Sequence, residues 1–306
     1  MDARRTTGPS PGASRARACP AIGPGPDVDP GADRDASPDG DVVEIDARVA
    51  HDARMYDYLL GGDVNFTVDR VLAERAAAAI GGLANARAGA RANRGFLARA
   101  VRHLAAEGGI RQFLDVGTGI PLSGTADVVA RHSRPGTRTV YVDHDPIVLA
   151  HAHVLARQPS TSPSAYVDAD LRQPDAVLAR AAATLDLTEP IVLVLGAVLH
   201  GVGDPEAHRV VARLVEALAP GSYLVVSHLA ADIAPEAMAE MARCLERGTG
   251  GTVVLRERAE VARFFDGLDV VAPGVVQVDQ WHPRRARPLP TGVWVPPVYG
   301  GVGRTR

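Results

Sequence analysis

A carboxylate and two glycines follow one another at the end of an apolar run. Asp115 closes the run, and Gly117 and Gly119 come after it. Glycine lets the backbone turn tightly and approach a ligand, because no Cβ is in the way. A carboxylate beside such a turn repels a pyrophosphate and attracts a cationic amino group or a sulfonium. The three residues therefore predict a binding loop for a positively charged ligand. The alternative is a plain strand-to-helix turn with an incidental Asp.

The same loop could instead belong to a dinucleotide-binding fold. The glycine pattern of that fold has a third glycine, and Leu122 stands in its place here. Asp115 also counts against a phosphate-bearing ligand, because its charge has the wrong sign. A nicotinamide-dependent oxidoreductase is therefore an alternative that two features of the loop disfavour.

A second carboxylate comes at the end of the next predicted strand. An acid at this position of a doubly wound sheet can accept hydrogen bonds from both hydroxyls of a ribose. Asp143 is therefore predicted at the ribose of a nucleoside, with His144 beside it. Asp145 is explained more simply as the cap of the helix that Pro146 begins, and a contact with the ribose is the alternative.

Two further segments follow the third and fourth predicted strands. Asp170 can accept a hydrogen bond from an adenine amino group while the backbone of Leu171 donates to the ring. Asp168 competes for this role, and solvation at the surface is the other interpretation. Gly196 and Ala197 come directly after a buried strand, where small residues leave room for a ligand.

A histidine follows the fourth predicted strand within the same turn. His200 would lie near a reacting group if a ligand occupied the space beside Gly196 and Ala197. The alternative is a structural histidine whose ring nitrogens bond to neighbouring groups.

The elements that must position these residues alternate between strands and helices from about residue 110 onward. Strands are predicted near 111–116, 138–142, 164–168, 190–196, 222–228, 270–278 and 292–298. Helices are predicted near 122–132, 146–157, 174–184, 205–218, 235–246 and 257–265. The run Ile191–Leu195 is apolar on both faces, as a central parallel strand is, and Asp204 before Pro205 predicts a capped helix start. The alternation predicts an α/β fold with a doubly wound, mostly parallel sheet.

The chain before residue 110 has a different character. Residues 1–41 are rich in Pro, Gly, Ser, Ala, Asp and Arg, which predicts a disordered leader. Residues 42–108 are predicted to form a helical extension that caps the domain formed by residues 109–306. Its first helix is predicted to start from an Asp46 cap and its second near Asp69, each ending at a Gly-Gly pair, and its third is predicted over 91–106.

The composition disfavours several classes of function. The net charge of −3 and the 4% aromatic content predict no nucleic-acid partner. The apolar runs are too short to span a bilayer, so no membrane association is predicted. The two cysteines suggest no metal site. Without an apolar signal-peptide core, the expected location is the cytoplasm.

These four strand-end segments, in this order, resemble the class I S-adenosylmethionine-dependent methyltransferases over roughly residues 110–300. The segments are Asp115-Val116-Gly117-Thr118-Gly119, Val142-Asp143, Asp168-Ala169-Asp170 and Ala197-Val198-Leu199-His200. The resemblance implies S-adenosylmethionine as cofactor and a seven-stranded, Rossmann-like sheet whose last strand is antiparallel. It also implies cofactor contacts at Asp115, Gly117, Thr118, Gly119, Asp143, His144, Asp170, Leu171, Gly196 and Ala197.

The N-terminal part is similar to a narrower bacterial methyltransferase family, long catalogued as a domain of unknown function. The matching segments are Arg54-Met55-Tyr56-Asp57-Tyr58-Leu59-Leu60-Gly61-Gly62, Asn65-Phe66, Asp69-Arg70, Asn93-Arg94, Phe96-Leu97, Arg99-Ala100-Val101-Arg102, Gly109-Ile110-Arg111-Gln112-Phe113-Leu114-Asp115 and Gly301-Val302-Gly303-Arg304. This likeness covers nearly everything after residue 46. It implies a helical N-terminal extension near the mouth of the cofactor site, and it supplies no methyl acceptor.

The reaction that follows from this resemblance is in-line displacement at the sulfonium methyl. A general base is needed only if the acceptor loses a proton early, and His200, Tyr58 and His228 are candidates by position. Tyr56, Tyr58 and Asn65 belong to a segment that could close over the cofactor, although packing of an amphipathic helix explains the tyrosines equally well.

The acceptor class and one further function are left open by the sequence. No Asn-Pro-Pro-Tyr or Asp-Pro-Pro-Tyr segment follows the fourth strand, which favours a small-molecule acceptor over a nucleic-acid amine. A regulator that binds S-adenosylmethionine without turnover is the other interpretation, because a cofactor site alone fits both.

Overall fold

The structure is a computed structural model that describes residues 46–120, 136–156, 164–282 and 294–306. The predicted leader at 1–41, the helix near 122–132 and Leu122 lie outside the described residues. In the part of the chain that is described, no helix is both long enough and apolar enough to cross a membrane.

The centre of the fold is one sheet, which has eight strands among the described residues. The strands are β1 (Gln112–Val116), β2 (Arg138–Asp143), β3 (Ser164–Asp168), β4 (Ile191–Gly196), β5 (Tyr223–Leu229), β6 (Asp269–Val270), β7 (Val276–Gln277) and β8 (Val298–Arg304). Their order across the sheet is β3-β2-β1-β4-β5-β8-β6, and β7 also pairs with β8. Strands β1 to β5 are parallel, and β8 runs antiparallel to β5, β6 and β7. The predicted doubly wound, mostly parallel sheet is confirmed.

Helices surround this sheet. They are α1 (Asp52–Leu60), α2 (Thr67–Ala79), α3 (Leu83–Ala106), α4 (Pro146–Ala156), α5 (Pro174–Ala181), α6 (Glu206–Glu216), α7 (Pro235–Thr249) and α8 (Arg258–Ala262), with 3-10 turns at Leu199–Gly201 and Arg263–Phe265. Alternate strand residues face opposite sides. Leu114 packs in the core that includes α5 and α6, whereas Phe113 packs in the core that includes α3. The sheet is therefore covered on both faces.

The strand order places a switch point between β1 and β4. β1 pairs with β2 on one side and with β4 on the other, so the chain leaves these strands in opposite directions. Ligands of open α/β sheets bind at such a point, outside the carboxyl ends of the strands. The ends of β1, β2 and β4 are therefore where the candidate site is sought.

Several predicted boundaries differ from the structure. The first helix begins at Asp52 with His51 as its N-cap, because the Asp46 side chain accepts a hydrogen bond from Arg48 N instead of capping a helix. The third helix begins at Leu83, since the alanine-rich turn before Arg91 favours helix too.

The remaining differences lie in the second half of the chain. α6 begins at Glu206 without a capping side chain, because Asp204 pairs with Arg256. The strand predicted near 270–278 is split into β6 and β7, which gives eight strands in place of seven. The last strand starts at Val298, after the prolines that the prediction included at 292–298.

Candidate functional site

The loop after β1 is a tight turn formed by two glycines. Gly117 has φ +71° and Gly119 has φ +65°, in the left-handed region that favours glycine. Gly117 N and Thr118 N both donate to Val142 O, at 2.8 and 3.3 Å. A Cβ on Gly117 would lie 2.4 Å from Val198 Cγ2. The loop therefore packs directly against the segment after β4.

Asp143 locks this loop to the end of β2. Its Oδ2 accepts a hydrogen bond from Gly119 N at 2.8 Å, and its Oδ1 accepts from His144 N and Asp145 N at 2.9 and 3.0 Å. A carboxylate has about four acceptor positions, two on each oxygen. Three of them are taken by backbone amides, so the position that remains for a ligand is on Oδ2. Asp143 thus has a structural role that the sequence prediction missed, and its ribose contact stays a prediction.

Asp115 lies at the end of β1 on the face that α3 covers. The residue is buried, with 7% of its surface exposed. Side chains two apart on a strand share a face, so Asp115 points to the same side as Phe113, which packs in the core with α3. Asp115 thus places a buried carboxyl group beside the glycine turn, on the α3 side of the switch point.

The segment after β3 is arranged around a local turn. Asp170 Oδ1 accepts from Arg172 N at 2.8 Å and lies 3.3 Å from Arg172 Nε, so its nearest cation is two residues away. Leu171 is buried in the core. Asp168 is exposed and lies beside Asp143 in the β2–β3 register. Asp168 and Asp170 therefore both remain candidates for an adenine contact.

The chain after β4 makes a sharp turn at Ala197. This residue has φ +55°, a conformation that alanine rarely adopts, and its N–H donates to Ser227 O at 3.1 Å. Gly196 packs so closely against α3 that a Cβ there would lie 2.7 Å from Leu97 Cδ1. The two predicted small residues are thus brought next to the glycine loop and to α3.

His200 lies in the 3-10 turn after β4, half-buried at the surface of the core. Its Nδ1 is buried and has no hydrogen-bond partner among the described residues. Burial lowers the pKa of His200, so the ring is neutral near pH 7. A neutral imidazole can accept a proton on the ring nitrogen that carries none, as the sequence prediction requires of a general base.

His228, the other histidine candidate, is occupied on both ring nitrogens. Nδ1 lies 2.8 Å from Leu229 O, and Nε2 lies 2.5 Å from Arg256 Nη1. Because a guanidinium only donates, Nε2 must be the acceptor and Nδ1 carries the proton. Burial lowers the pKa of His228 to about 3. His228 is a structural residue, and its assignment as a possible base does not agree with these contacts.

Arg256 was missed by the sequence analysis, although it organises the segment after β4. It is 1% exposed and donates to Leu199 O at 3.0 Å and Val202 O at 2.8 Å. It also forms an ion pair with Asp204, with 3.1 Å between Nη2 and Oδ1. One buried guanidinium thus holds the turn that carries His200. Its burial sets it apart from most of the other described arginines, and no local pattern in the sequence around it indicates that burial.

The start of α1 lies against the strand ends. Ala53 packs in a cluster with Ile120, from the glycine loop, and Ile147 from α4. His51 Nδ1 lies 2.7 Å from Asp145 Oδ2. The same nitrogen is 3.4 Å from Ala53 N. It cannot both donate a proton to Asp145 and accept one from Ala53 N, so we assign it as the donor in the shorter contact, with Asp145.

The pKa values of this pair are shifted in opposite directions. The hydrogen bond to Asp145 raises the pKa of His51, against the effect of burial. Burial pushes the pKa of Asp145 upward, but the contacts with His51 and the amide of Ile147 outweigh it and leave the pKa below its usual value. Asp145 also caps α4, as predicted, by accepting from Ile147 N at 2.8 Å.

The two tyrosines of α1 point to different neighbours. The Tyr56 hydroxyl donates to Ala90 O at 3.2 Å and accepts from Asn93 Nδ2 at 2.9 Å, so it contacts α3. The Tyr58 hydroxyl donates to Glu74 Oε1 at 2.6 Å, on α2. These contacts do not bring Tyr58 together with the residues at the strand ends, and nothing in them supports its prediction as a base.

Asn65 belongs to a turn that closes on α1. Its Nδ2 donates to Asp57 Oδ2 at 2.8 Å and to Gly62 O at 3.0 Å. Gly62 lies against the same carboxylate, since a Cβ there would be 1.9 Å from Asp57 Oδ1. The Asp, Gly and Asn of this motif therefore fix the exit from α1, which is a structural explanation for part of the segment predicted to cover the cofactor.

Comparison with known proteins gives two kinds of match. A family model described as S-adenosyl methyltransferase matches residues 39–306. A DUF574 family protein from Streptomyces avermitilis is 40% identical and superposes with a TM-score of 0.79, over 86% of this chain and 100% of its own. A protein from Thermobifida fusca, provisionally described as a methyltransferase, is 37% identical with a TM-score of 0.76, over 84% of this chain and 96% of its own. No curated protein matches.

Proposed function

Because the chain belongs to the S-adenosyl methyltransferase family, whose cofactor is S-adenosylmethionine, we propose that it transfers a methyl group by in-line displacement to a small-molecule acceptor. When bound, the cofactor supplies an activated methyl group. The protein's task is then to hold the two reactants in line, which can supply much of the rate enhancement.

The observation that carries the proposal is the arrangement around the switch point. Gly117 and Gly119 form the tight turn that follows β1, and the buried carboxylate of Asp115 lies beside it. A site with this charge fits a cationic nucleoside better than a phosphate-bearing one. The residues present therefore fit the family's cofactor.

Each part of the cofactor has proposed contacts among the predicted residues. The set for the methionine end is Asp115, Gly117, Thr118 and Gly119. The set for the nucleoside is Asp143 and His144 at the ribose and Asp170 and Leu171 at the adenine, with Gly196 and Ala197 lining the space next to the acceptor. Support comes from position, because all of these residues lie at or just after the carboxyl ends of β1 to β4.

His200 is the proposed general base for acceptors that must lose a proton. Its Nδ1 is without a partner among the described residues, and its ring is neutral near pH 7 because burial lowers its pKa. Tyr58 is bonded to Glu74 and is a weaker candidate.

A small-molecule acceptor is supported by features of the chain itself. The turn after β4 is Gly196-Ala197-Val198, without the Asn-Pro-Pro-Tyr type of segment that suits a planar exocyclic amine. The start of α1 lies against the glycine loop, which narrows the space above the strand ends. Neither the regulator without turnover nor the nicotinamide oxidoreductase gains support from the comparisons.

The first test measures cofactor affinity by calorimetry. Asp115→Asn should lower the affinity for S-adenosylhomocysteine about ten- to a hundredfold, because a hydrogen bond between charged groups contributes about 1.5–3 kcal/mol. Glu189→Gln, at an exposed position before β4, is the matched control and should change nothing. Unchanged affinity in Asp115→Asn, or wild-type protein that binds NADH and not the nucleoside, would overturn the proposal.

A second measurement separates the enzyme from the regulator. Wild-type protein is incubated with methyl-labelled S-adenosylmethionine and fractionated small-molecule extracts. Transfer of label to a small product supports the proposal. Intact binding with no transfer across the fractions would favour the regulator.

A further inference from the structure

Asn93, on α3, has a buried amide oxygen to which no described residue donates a hydrogen bond. The residue is 3% exposed, and its Oδ1 has no hydrogen-bond partner among the described residues. A buried acceptor that is left unpaired destabilises the folded protein, because its hydrogen bonds to water are lost and not replaced. Such a group calls for a physical explanation, and a ligand that donates to it is one.

The orientation of this amide follows from Tyr56. The tyrosine hydroxyl has one proton, which it donates to Ala90 O at 3.2 Å. It must therefore accept at its contact with Asn93, which is 2.9 Å long. Only the NH2 group of Asn93 can donate there. The amide oxygen is thus the free group, and it offers an acceptor alone.

The position of Asn93 places it above the switch point. α3 is antiparallel to the parallel strands and reaches the carboxyl end of β4 where Leu97 contacts Gly196. Asn93 is one helical turn before Leu97, so it lies about 6 Å beyond that strand end on the same face of the helix. Asp115 points to this same side of the sheet. Asn93 and Asp115 therefore flank the space next to the glycine loop from α3 and from β1.

Arg94 brings a positive charge to the same place. Its guanidinium carbon lies 5.7 Å from the centre of the Tyr56 ring, within the range of a cation–π contact. In the described part of the chain, Arg94 has no ion pair with a carboxylate. Tyr56 thus holds both neighbours: its hydroxyl fixes Asn93 and its ring supports Arg94.

We propose that Tyr56, Asn93 and Arg94 bind the amino-acid end of the cofactor. Asn93 Oδ1 accepts a hydrogen bond from the ammonium group, and Arg94 pairs with the carboxylate. Tyr56 is a positioning residue for both. A zwitterion needs an acceptor and a cation side by side, and a guanidinium matches a carboxylate in geometry. This inference rests on the proposed function, since it assigns part of the same cofactor.

Three probes that differ only at this end test the assignment by calorimetry. S-Adenosylhomocysteine carries ammonium and carboxylate, S-adenosyl-3-thiopropylamine lacks the carboxylate, and 5′-methylthioadenosine lacks both. Asn93→Leu should weaken the first two about ten- to a hundredfold and leave the third within about twofold. Arg94→Gln should weaken only the first.

Two other variants control for indirect effects. Arg91→Gln, exposed on the same helix, should leave all three affinities unchanged. Tyr56→Phe keeps the ring and removes the hydroxyl that orients the amide. It should weaken S-adenosylhomocysteine several-fold and spare 5′-methylthioadenosine, so it tests the proposal even if Asn93→Leu does not fold.

Two outcomes would overturn the assignment. One is an equal loss for all three probes, which would make the cluster structural. The other is an unchanged affinity for S-adenosylhomocysteine in Asn93→Leu and Tyr56→Phe. That result would show that the amide oxygen of Asn93 does not bind the cofactor. If the wild-type protein binds no probe, the proposed function itself fails, and that result is distinct from both.

Discussion

At the scale of single residues, the two glycines of the loop after β1 have different reasons to be glycine. Both have positive φ, but a Cβ on Gly117 would lie 2.4 Å from Val198 Cγ2, whereas a Cβ on Gly119 would meet no described residue within 4 Å. Gly119→Ala thus adds only backbone strain, about 1–2 kcal/mol. Gly117→Ala adds a clash to that strain.

We therefore expect Gly117→Ala to lower the free energy of unfolding by clearly more than Gly119→Ala does. Chemical denaturation of both variants checks the difference. Val198→Ala, which shortens the side chain in the way, should recover part of the loss in Gly117→Ala and none in Gly119→Ala. Equal losses in the two glycine variants would contradict the contact.

Single residues also show which parts of the site could be predicted from the sequence and which could not. Residue type and position after a strand were enough to place Asp115, Asp143 and Gly117 at one sheet edge. They could not show that Asp143 bonds to three backbone amides, because those amides come from two separate loops. They also could not distinguish His228, which is bonded on both nitrogens, from His200, whose Nδ1 has no partner in the described part of the chain.

At the scale of elements, the His51–Asp145 pair joins the start of α1 to the loop after β2. Because the pKa of His51 is raised in the folded protein, protonated His51 contributes its full stabilisation below about pH 6.5, the usual pKa of histidine. This stabilisation is lost as the pH rises through the raised pKa. Asp52 adds to this effect and Arg54 opposes it. The lowered pKa of Asp145 means that its contribution is lost only in acid, as the pH falls through that lowered pKa.

We expect the melting temperature of wild type to exceed that of His51→Gln by more at about pH 5.5 than at about pH 9. Thermal melts at both pH values measure this difference, which cancels any constant effect of the substitution on the helix cap. In an Asp145→Asn background the same difference should no longer depend on pH. A pH-independent gap in the original background would show that the ion pair contributes nothing.

Element boundaries were predicted well where local chemistry decides them and poorly where distant contacts do. Asp145 before Pro146 caps α4 as predicted, because both residues act within one turn. Asp204 before Pro205 has the same local pattern, yet its carboxylate bonds to Arg256, which is far away in sequence. The residues around Asp204 in the sequence cannot show that its carboxylate will bond to Arg256 instead of capping α6.

At the scale of the whole molecule, the parallel part of the sheet could be predicted and its antiparallel edge only in part. Strands β1 to β5 alternate with helices, and right-handed crossovers leave few arrangements for them. β6 and β7 have two residues each, too few for a pattern, and they exist because β8 provides a partner for both. The division at residues 42–108 and 109–306 stays a prediction.

The position of β8 also has a kinetic consequence. This strand comes last among the described elements, yet it lies inside the sheet, between β5 and the short pair β6 and β7. Contacts between partners so far apart in sequence form slowly, because a long loop must close first. Until they form, the β5 edge is open to pairing with other molecules. We expect a chain that stops before Val298 to aggregate during refolding, as light scattering would show, while the intact chain refolds to a monodisperse species.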